Sequence, residues 1–469
     1  MKKRVFISGV TGIMGGAGLR HLLKHKDGFE LVTIVRDSKN NRKKMDKYKD
    51  SINIIWGDLT HYDDVKTALK GVDYILHVAA LVSPEADDKP ELAWKINVGS
   101  IKNILKAIDD LNLQDVKLVY IGSVAETGSR LPPIHWGRVG DPIKPSIFDN
   151  YAVTKIAAER LVIESGLKYW VSLRQTGILY SGLLSMRDRI MFHQPLNNGL
   201  EWITDDDSGR MLANICIKDL PNTFWKNIYN VGGGESCRAN NYQFTSSILQ
   251  TIGVKDIKKI FEPNWFASKN FHGQYYLDSH VLNDYLDFRE ESLEDFGERL
   301  KMQVKFPTNL LKFMPNFFIK YFVMKIIAQS PNGTLNWIKT KNMEKINAYW
   351  GSLEKWREIG DWSDFHIQSD YSNILALDHG YDESKDEHLI NINDIKSAAN
   401  FRGGECLSPT MVVGDLDTKL LWKCSFNHEF YASPRLVLKA GHWCQECAAP
   451  PWDDEEIAKQ NPFFAQVME

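Results

Sequence analysis

The sequence predicts an α/β chain. It expects a doubly wound parallel sheet with a smaller α/β region after it, then a helical extension and a small cysteine-rich C-terminal module. Three observations carry this. Apolar strand-like runs alternate with helical segments through the N-terminal half. A glycine-rich turn follows the first of those runs. Four of the six cysteines, Cys406, Cys424, Cys444 and Cys447, crowd into the end of the chain.

The first run, "RVFISGV", is apolar and β-branched and ends in glycine, as a strand buried on both faces does. "TGIMGGAGLRHLLKH" follows and turns helical in period. It places Gly12, Gly15 and Gly18 at the spacing G-x-x-G-x-x-G. Such glycines allow a tight turn, a close approach of backbone to a pyrophosphate, and close packing of the helix on its strand. The helix N-terminus itself attracts phosphate. Further strands are expected at "FELVTIV", "INIIWGD", "VDYILHVAA" and "VKLVYIGS", with helices such as "SIKNILKAIDDL" between them. Strand–helix alternation of this kind means a parallel sheet covered on both faces.

With 469 residues, the chain exceeds one ordinary core, and about two or three domains are expected. The boundaries read as 1–300 for the sheet domain, its substrate region lying at 175–300, then 301–385 for the extension and 386–469 for the C-terminal module. A formal charge of −3 gives no global field for nucleic acid or anionic membrane. The start is too short in apolar residues for a signal peptide. The most apolar later stretch, 310–328, is broken by Lys312, Pro315, Lys320 and Lys325. The expectation is therefore a cytoplasmic protein without a membrane span. The aromatic-rich extension is expected to bury against the main domain; a lid over an apolar substrate or a helix at a membrane surface is the sharper alternative.

The pieces "TGIMGGAG", "GDLT", "HVAA", "NVGSIKNIL", "YIGS", "YAVTK", "LRQTGILY" and "YNVGGGES" stand in the order found in the extended short-chain dehydrogenase/reductases of the epimerase/dehydratase superfamily. The first 300 or so residues resemble that family. The resemblance implies a Rossmann fold and a Tyr-x-x-x-Lys pair, here Tyr151 and Lys155, one helical turn apart on one face. A phenol is a poor base at neutral pH, and a neighbouring ammonium favours its phenolate. Ser123 matches the family's hydroxyl that bonds the reacting oxygen. The implied cofactor contacts are Gly9, Thr11, Gly12, Ile13, Met14, Gly15, Arg36, Asp58, Leu59, Ala79, Ala80 and Asn97, together with Tyr151 and Lys155. Arg36, after the second strand, favours NADP, while Asp37 beside it leaves NAD open.

Such a site interconverts a secondary alcohol and a ketone, the reading expected first. Val124 and Ala125 after Ser123 disfavour the 4,6-dehydratase subclass, which places an acid pair there. A nucleotide-sugar epimerase with bound NAD and a non-catalytic nucleotide-binding scaffold are the alternatives. Arg187, Arg189 and Arg210 are candidates to clamp a diphosphate, or are ordinary surface arginines. A small-molecule substrate is implied, and the family's habit of pairing through two helices beside the active site implies a homodimer by analogy.

At the C-terminus, "DESKDE" reads as a solvated linker. The helix "NDIKSAANF" is expected to be capped by Asn393 and stopped by Gly403 and Gly404. Cys424 and His428, then Cys444 and Cys447, form Cys-x3-His and Cys-x2-Cys around a candidate hairpin, "KLLWKC" and "EFYASP". Four such ligands suit a closed structural Zn²⁺ site of treble-clef or zinc-ribbon type, with Cys406 a rival to His428. A thioredoxin-like redox pair would need a βαβ setting this tail lacks the length for. Residues 401–447 carry five basic and five acidic side chains, too balanced for a nucleic-acid stripe.

Overall fold

The computed structural model describes residues 2–185, 188–303, 314–448, 450 and 452–468. Arg187 and Lys312 lie outside them. The seven strands of the main sheet are β1 (Lys3–Ile7), β2 (Phe29–Val35), β3 (Asn53–Trp56), β4 (Tyr74–His77), β5 (Lys117–Ser123), β6 (Tyr169–Gln175) and β7 (Asn227–Val231). They run parallel in the order β7-β6-β5-β4-β1-β2-β3. The order reverses between β1 and β4, where a doubly wound sheet opens a crevice at its carboxyl edge. Helices α1 (Ile13–Leu23), α2 (Gly99–Asp110) and α3 (Asn150–Ile163) follow β1, β4 and β5. Each places apolar side chains on the sheet, and the strands other than the half-buried edge strand β3 are buried almost throughout because helices cover both faces.

The smaller region after β6 is a set of short strand pairs and helices that covers the carboxyl edge of the sheet. The extension is helical, as expected, and Trp337, Ile346 and Trp350 are buried in one cluster. The stretch 316–328 departs from the expectation. Ile319 and Ala328 pack inward, whereas Phe317 is 65% and Phe322 is 55% exposed. Phe317 and Phe322 therefore lie on a face of the stretch that the main domain does not cover.

The segment read as a solvated linker is instead strapped to the main domain. Arg138 holds Glu383 through two bonds of 3.0 and 2.6 Å, and His379 meets Asp141 at 2.9 Å. The run "DESKDE" alone could not reveal partners that lie more than 200 residues away. Beyond it, helix α4 (Ile392–Phe401) is capped by Asn391, whose side chain accepts from the amide of Asn393, so the cap sits two residues before the one expected. Strands β8 (Glu405–Cys406), β9 (Leu420–Lys423) and β10 (Glu429–Ala432) form an antiparallel sheet that includes the expected hairpin. Its core residues Trp422, Phe430 and Leu436 join the same apolar cluster as Val162 and Ile163 of α3.

Candidate functional site

A cleft of about 560 Å³ lies along the carboxyl ends of β1, β2, β4 and β5. Gly9, Thr11, Gly12, Ile13, Met14, Gly15, Arg36, Asp58, Leu59, Ala79, Ala80, Ser123, Tyr151 and Lys155 all line it, as the sequence expects. Asn97 does not line it. Its amide donates to Leu81 O at 2.9 Å and to Thr154 Oγ1 at 2.8 Å, and it accepts from the amide of Leu81 at 2.7 Å, so it braces the cleft wall against α3. The glycine turn is compact: Gly9 has φ +74°, and a Cβ on Gly15 would run into the Gly9 carbonyl. Gly18 serves the expected strand and a further helix, since its Cβ would stand 3.3 Å from Ile7 of β1 and 2.8 Å from Leu212 of the helix Asp205–Ile217.

The cleft suits a dinucleotide. The first turn of α1 has no acidic residue, and Gly12 at its start has no side chain to cap it, so its amides are open to an anion. At the opposite end Gln175 and Thr176 line the cleft, and Gln175 Oε1 is buried without a partner among the described residues. The sequence points to "LRQTGILY" without singling out these two side chains.

Tyr151, Lys155 and Ser123 meet at one end. Asp149 caps α3 by accepting from Ala152 N at 2.8 Å, and Asp87 accepts from Tyr151 N at 3.1 Å, which fixes the first turn. Burial pushes the Tyr151 phenol well above its usual value. A hydrogen bond with Ser123 acts the other way, and the charges of Glu126, Asp149 and Asp87 add to the rise. Burial also drives the Lys155 ammonium down to about 8, against the pull of Glu126 and Glu159. Its Nζ donates to Ile121 O and lies 4.2 Å from the centre of the Tyr120 ring. Glu126, absent from the residues the sequence singled out, stands three positions after Ser123, and the Ser-x-x-Glu spacing of a capping box is the signal that points to it. It closes a capping box, accepting from Ser123 N at 2.7 Å while Ser123 Oγ accepts from Ala125 N at 3.1 Å.

The two described arginines proposed as a diphosphate clamp are committed elsewhere. Arg189 pairs with Asp88 at 2.6 Å, and Arg210 is surrounded by Asp206, Asp207 and Glu290. Neither lines the cleft.

The second cluster lies in the C-terminal module. Asn427, with φ +63°, turns the chain after Cys424, and the amide of Cys424 donates back to His428 O at 3.0 Å. His428 Nδ1 then stands 3.5, 3.5 and 3.4 Å from the sulfurs of Cys424, Cys444 and Cys447, and Cys424 Sγ stands 3.8 Å from Cys447 Sγ. A tetrahedral ion with bonds of about 2.3 Å to sulfur and about 2.0 Å to nitrogen sets its ligand atoms about 3.8 Å (S···S) and about 3.5 Å (S···N) apart. The four atoms therefore form a site able to hold such an ion, and the sulfur separation is far too long for a disulfide. His428 Nε2 points to Glu446 at 3.7 Å, the carboxylate partner that orients many metal-bound imidazoles. Cys406 takes no part; it is buried in β8, with Ser408 O at 3.9 Å. The choice between Cys406 and His428 thus falls to His428.

No helix of the described residues is long and apolar enough to cross a membrane. The model of the NAD dependent epimerase/dehydratase family matches residues 5–183. A 3 beta-hydroxysteroid dehydrogenase/Delta 5→4-isomerase of Vaccinia virus (strain Copenhagen) is 30% identical over 302 residues, 56% of this chain and 82% of the viral protein. Mouse 3 beta-hydroxysteroid dehydrogenase type 7 is 30% identical over 158 residues, 32% of this chain and 42% of its own length. A UDP-glucose 4-epimerase of Rickettsia bellii is 34% identical over 110 residues, 22% of this chain and 32% of its own. The chain thus spans less than half of these last two. Among solved structures, a dTDP-glucose 4,6-dehydratase of Streptomyces venezuelae with NAD bound has a TM-score of 0.50 at 20% identity, over 64% of this chain and 96% of that one. The enzyme WbmH of Bordetella bronchiseptica, with NAD⁺, gives 0.50 at 18% over the same shares.

These structures correct the expectation of NADP, because they hold NAD. Against the effect of burial, hydrogen bonds from Thr60 hold the Asp58 carboxyl below its usual value, with smaller help from the charges of Arg36 and His61. Asp37 turns outward to Arg42, at 2.6 and 2.7 Å. The viral relative, covered over four-fifths of its length, and the family model over the sheet agree: the chain belongs to the NAD dependent epimerase/dehydratase family, an enzyme family of the extended short-chain dehydrogenase/reductase type.

Proposed function

We propose that this protein uses NAD to move a hydride at a secondary carbinol carbon of a small-molecule substrate. The observation that carries the reading is the meeting of Tyr151, Lys155 and Ser123 at one end of a cleft whose other residues suit a dinucleotide. When bound, NAD supplies the hydride acceptor and donor. Tyr151 Oη takes the proton of the substrate hydroxyl as the hydride leaves its carbon, and returns it in the reverse step. Ser123 bonds the same oxygen. Lys155 holds the ribose, and its charge favours the phenolate against the burial that opposes it.

The comparisons lean toward epimerisation, in which NAD stays bound and is regenerated within each cycle. UDP-glucose 4-epimerases stand among the relatives and the solved folds. Net interconversion of a secondary alcohol and a ketone is the second reading. It is favoured by the commitment of Arg189 and Arg210 to carboxylates, and by the long alignment with a viral steroid dehydrogenase. The Cys424–His428–Cys444–Cys447 cluster is assigned a structural Zn²⁺, because protein atoms fill all four positions.

The test is to denature the purified chain and measure released NAD. UDP-glucose without added cofactor and secondary alcohols with NAD are then assayed, the latter at 340 nm. Epimerisation is expected to proceed on retained NAD alone; alcohol oxidation needs added NAD. In either assay Tyr151→Phe is expected to lower turnover by about 10²-fold or more. Unchanged turnover in that variant would sink both readings.

A further inference from the structure

The catalytic end of the cleft and the cysteine module are joined by a buried line of polar groups that proton transfer at Tyr151 does not require. In α3, Tyr151, Lys155 and Glu159 follow one another at four-residue steps on one face. Glu159 is fully buried. Its carboxylate accepts from Ser172 Oγ at 2.6 Å, from Arg174 Nη2 at 2.7 Å, and from His442 Nε2 at 2.8 Å. Arg174 donates also to Ala440 O at 2.7 Å and approaches Glu126 Oε2 at 3.6 Å. Glu126 in turn accepts from the amide of Ser123.

The far end of the line belongs to the module. The amide of His442 donates to Leu436 O at 3.2 Å, and Trp443 O accepts from Arg160 Nη1 of α3 at 3.1 Å. Gly441 has φ +73°, and any Cβ there would collide with the Asp141 carbonyl. Cys444 comes next after Trp443. The backbone that aims His442 is thus fixed on one side by a close approach to the main domain and on the other by a candidate metal ligand.

We propose that His442 is a positioning residue for hydride transfer, and that the metal clasp is its anchor. The loaded clasp fixes 440–443. His442 and the Ala440 carbonyl then hold Glu159 and Arg174, and through them Lys155 and the Ser123–Glu126 turn keep their places. This rests on the reading of Tyr151, Lys155 and Ser123 as the reacting set. Removing the His442 donor leaves a buried carboxylate short of a partner, which Arg174 answers by shifting toward Glu159 and away from Ala440 and Glu126. The dinucleotide turn at Gly9–Gly15 lies outside this line, so of the cofactor contacts only the one made by Lys155 is disturbed.

The experiment uses the full chain and the variants His442→Ala, His442→Gln and His442→Asn. Gln places its amide nitrogen near the position of Nε2, whereas Asn falls short of it. Zinc content, NAD affinity, kcat and KM are measured for each. His442→Ala and His442→Asn are expected to keep their zinc, to lose no more than about threefold in NAD affinity, and to lose about tenfold to a hundredfold in kcat, the range of a small misplacement, with little change in KM for the substrate. His442→Gln is expected to recover most of that loss. Wild-type kcat in His442→Ala overturns the proposal, as does equal loss in Gln and Asn; should Ala not fold, the Gln–Asn pair decides. A second readout needs no turnover. The Nε2 proton of His442, bonded to a carboxylate, gives a downfield proton resonance, identified by its absence from the variants. It is expected to vanish when a chelator removes zinc, and its persistence would refute the anchoring role. Failure of the functional reading would appear separately, as activity kept by Tyr151→Phe.

Discussion

Lys155 must carry charge where burial disfavours it, and that conflict is measurable. Its ammonium falls to about 8 in the fold, below the ~10.4 of a free lysine. Between those two values the unfolded chain binds a proton that the folded chain does not, so this residue makes stability rise with pH across that window. The opposing carboxylates, Glu126 and Glu159, keep the cost from being larger. Relative to Lys155→Met, the wild-type protein without cofactor is therefore expected to gain stability, by a few kcal/mol at most, as pH rises from about 8 to about 10.4. Melting temperatures of the two proteins across that range provide the check, and a flat difference would deny the depressed value. The sequence offered Tyr151, Lys155 and Ser123 through local spacing. Helical spacing puts Glu159 one turn beyond Lys155, but it could not offer His442 as a partner, since 283 positions separate His442 from Glu159.

Elements of the C-terminal module are too small to stand alone. Strands β8, β9 and β10 have two, four and four residues, below what an isolated sheet needs. What holds them is packing on α3 and, by our reading, the tetrahedral ion. A strong chelator is expected to lower the melting temperature and to make Cys424, Cys444 and Cys447 reactive to a thiol reagent. Cys216 and Cys237, buried in the main domain, are expected to stay protected. Equal reactivity before and after chelation would count against a metal-held module. The hairpin was legible because its ligand spacings and apolar alternation are local. The position of the helix cap was not, because Asn391 and Asn393 are equally good caps in composition and only the backbone turn selects one.

Across the whole molecule the module sits where a second copy would be expected. Trp94, Val98 and Lys102, at and before the start of α2, share a cavity of about 360 Å³ with Val153, Ile156 and Leu161 on α3. Trp443, Cys447 and Trp452 of the module close its other side. By analogy with the family, pairing would use the faces of α2 and α3, and the chain's own C-terminal part stands over them. Sedimentation is expected to give the mass of a single chain, 53.8 kDa, and a stable dimer would require another face.

The sequence by itself determined the sheet, the glycine turn, the Tyr151–Lys155 pair and the three cysteines of the clasp. Each is written in spacing over a few residues, and backbone geometry turns such spacing directly into a shared face or a shared site. Only the tertiary structure decided that His428 rather than Cys406 joins the three cysteines, that Arg189 and Arg210 are already paired, and that Gly441 lets His442 reach Glu159 behind the reacting groups. Those outcomes depend on charges and close approaches between segments far apart in the chain, and such neighbours exist only once the cores have packed.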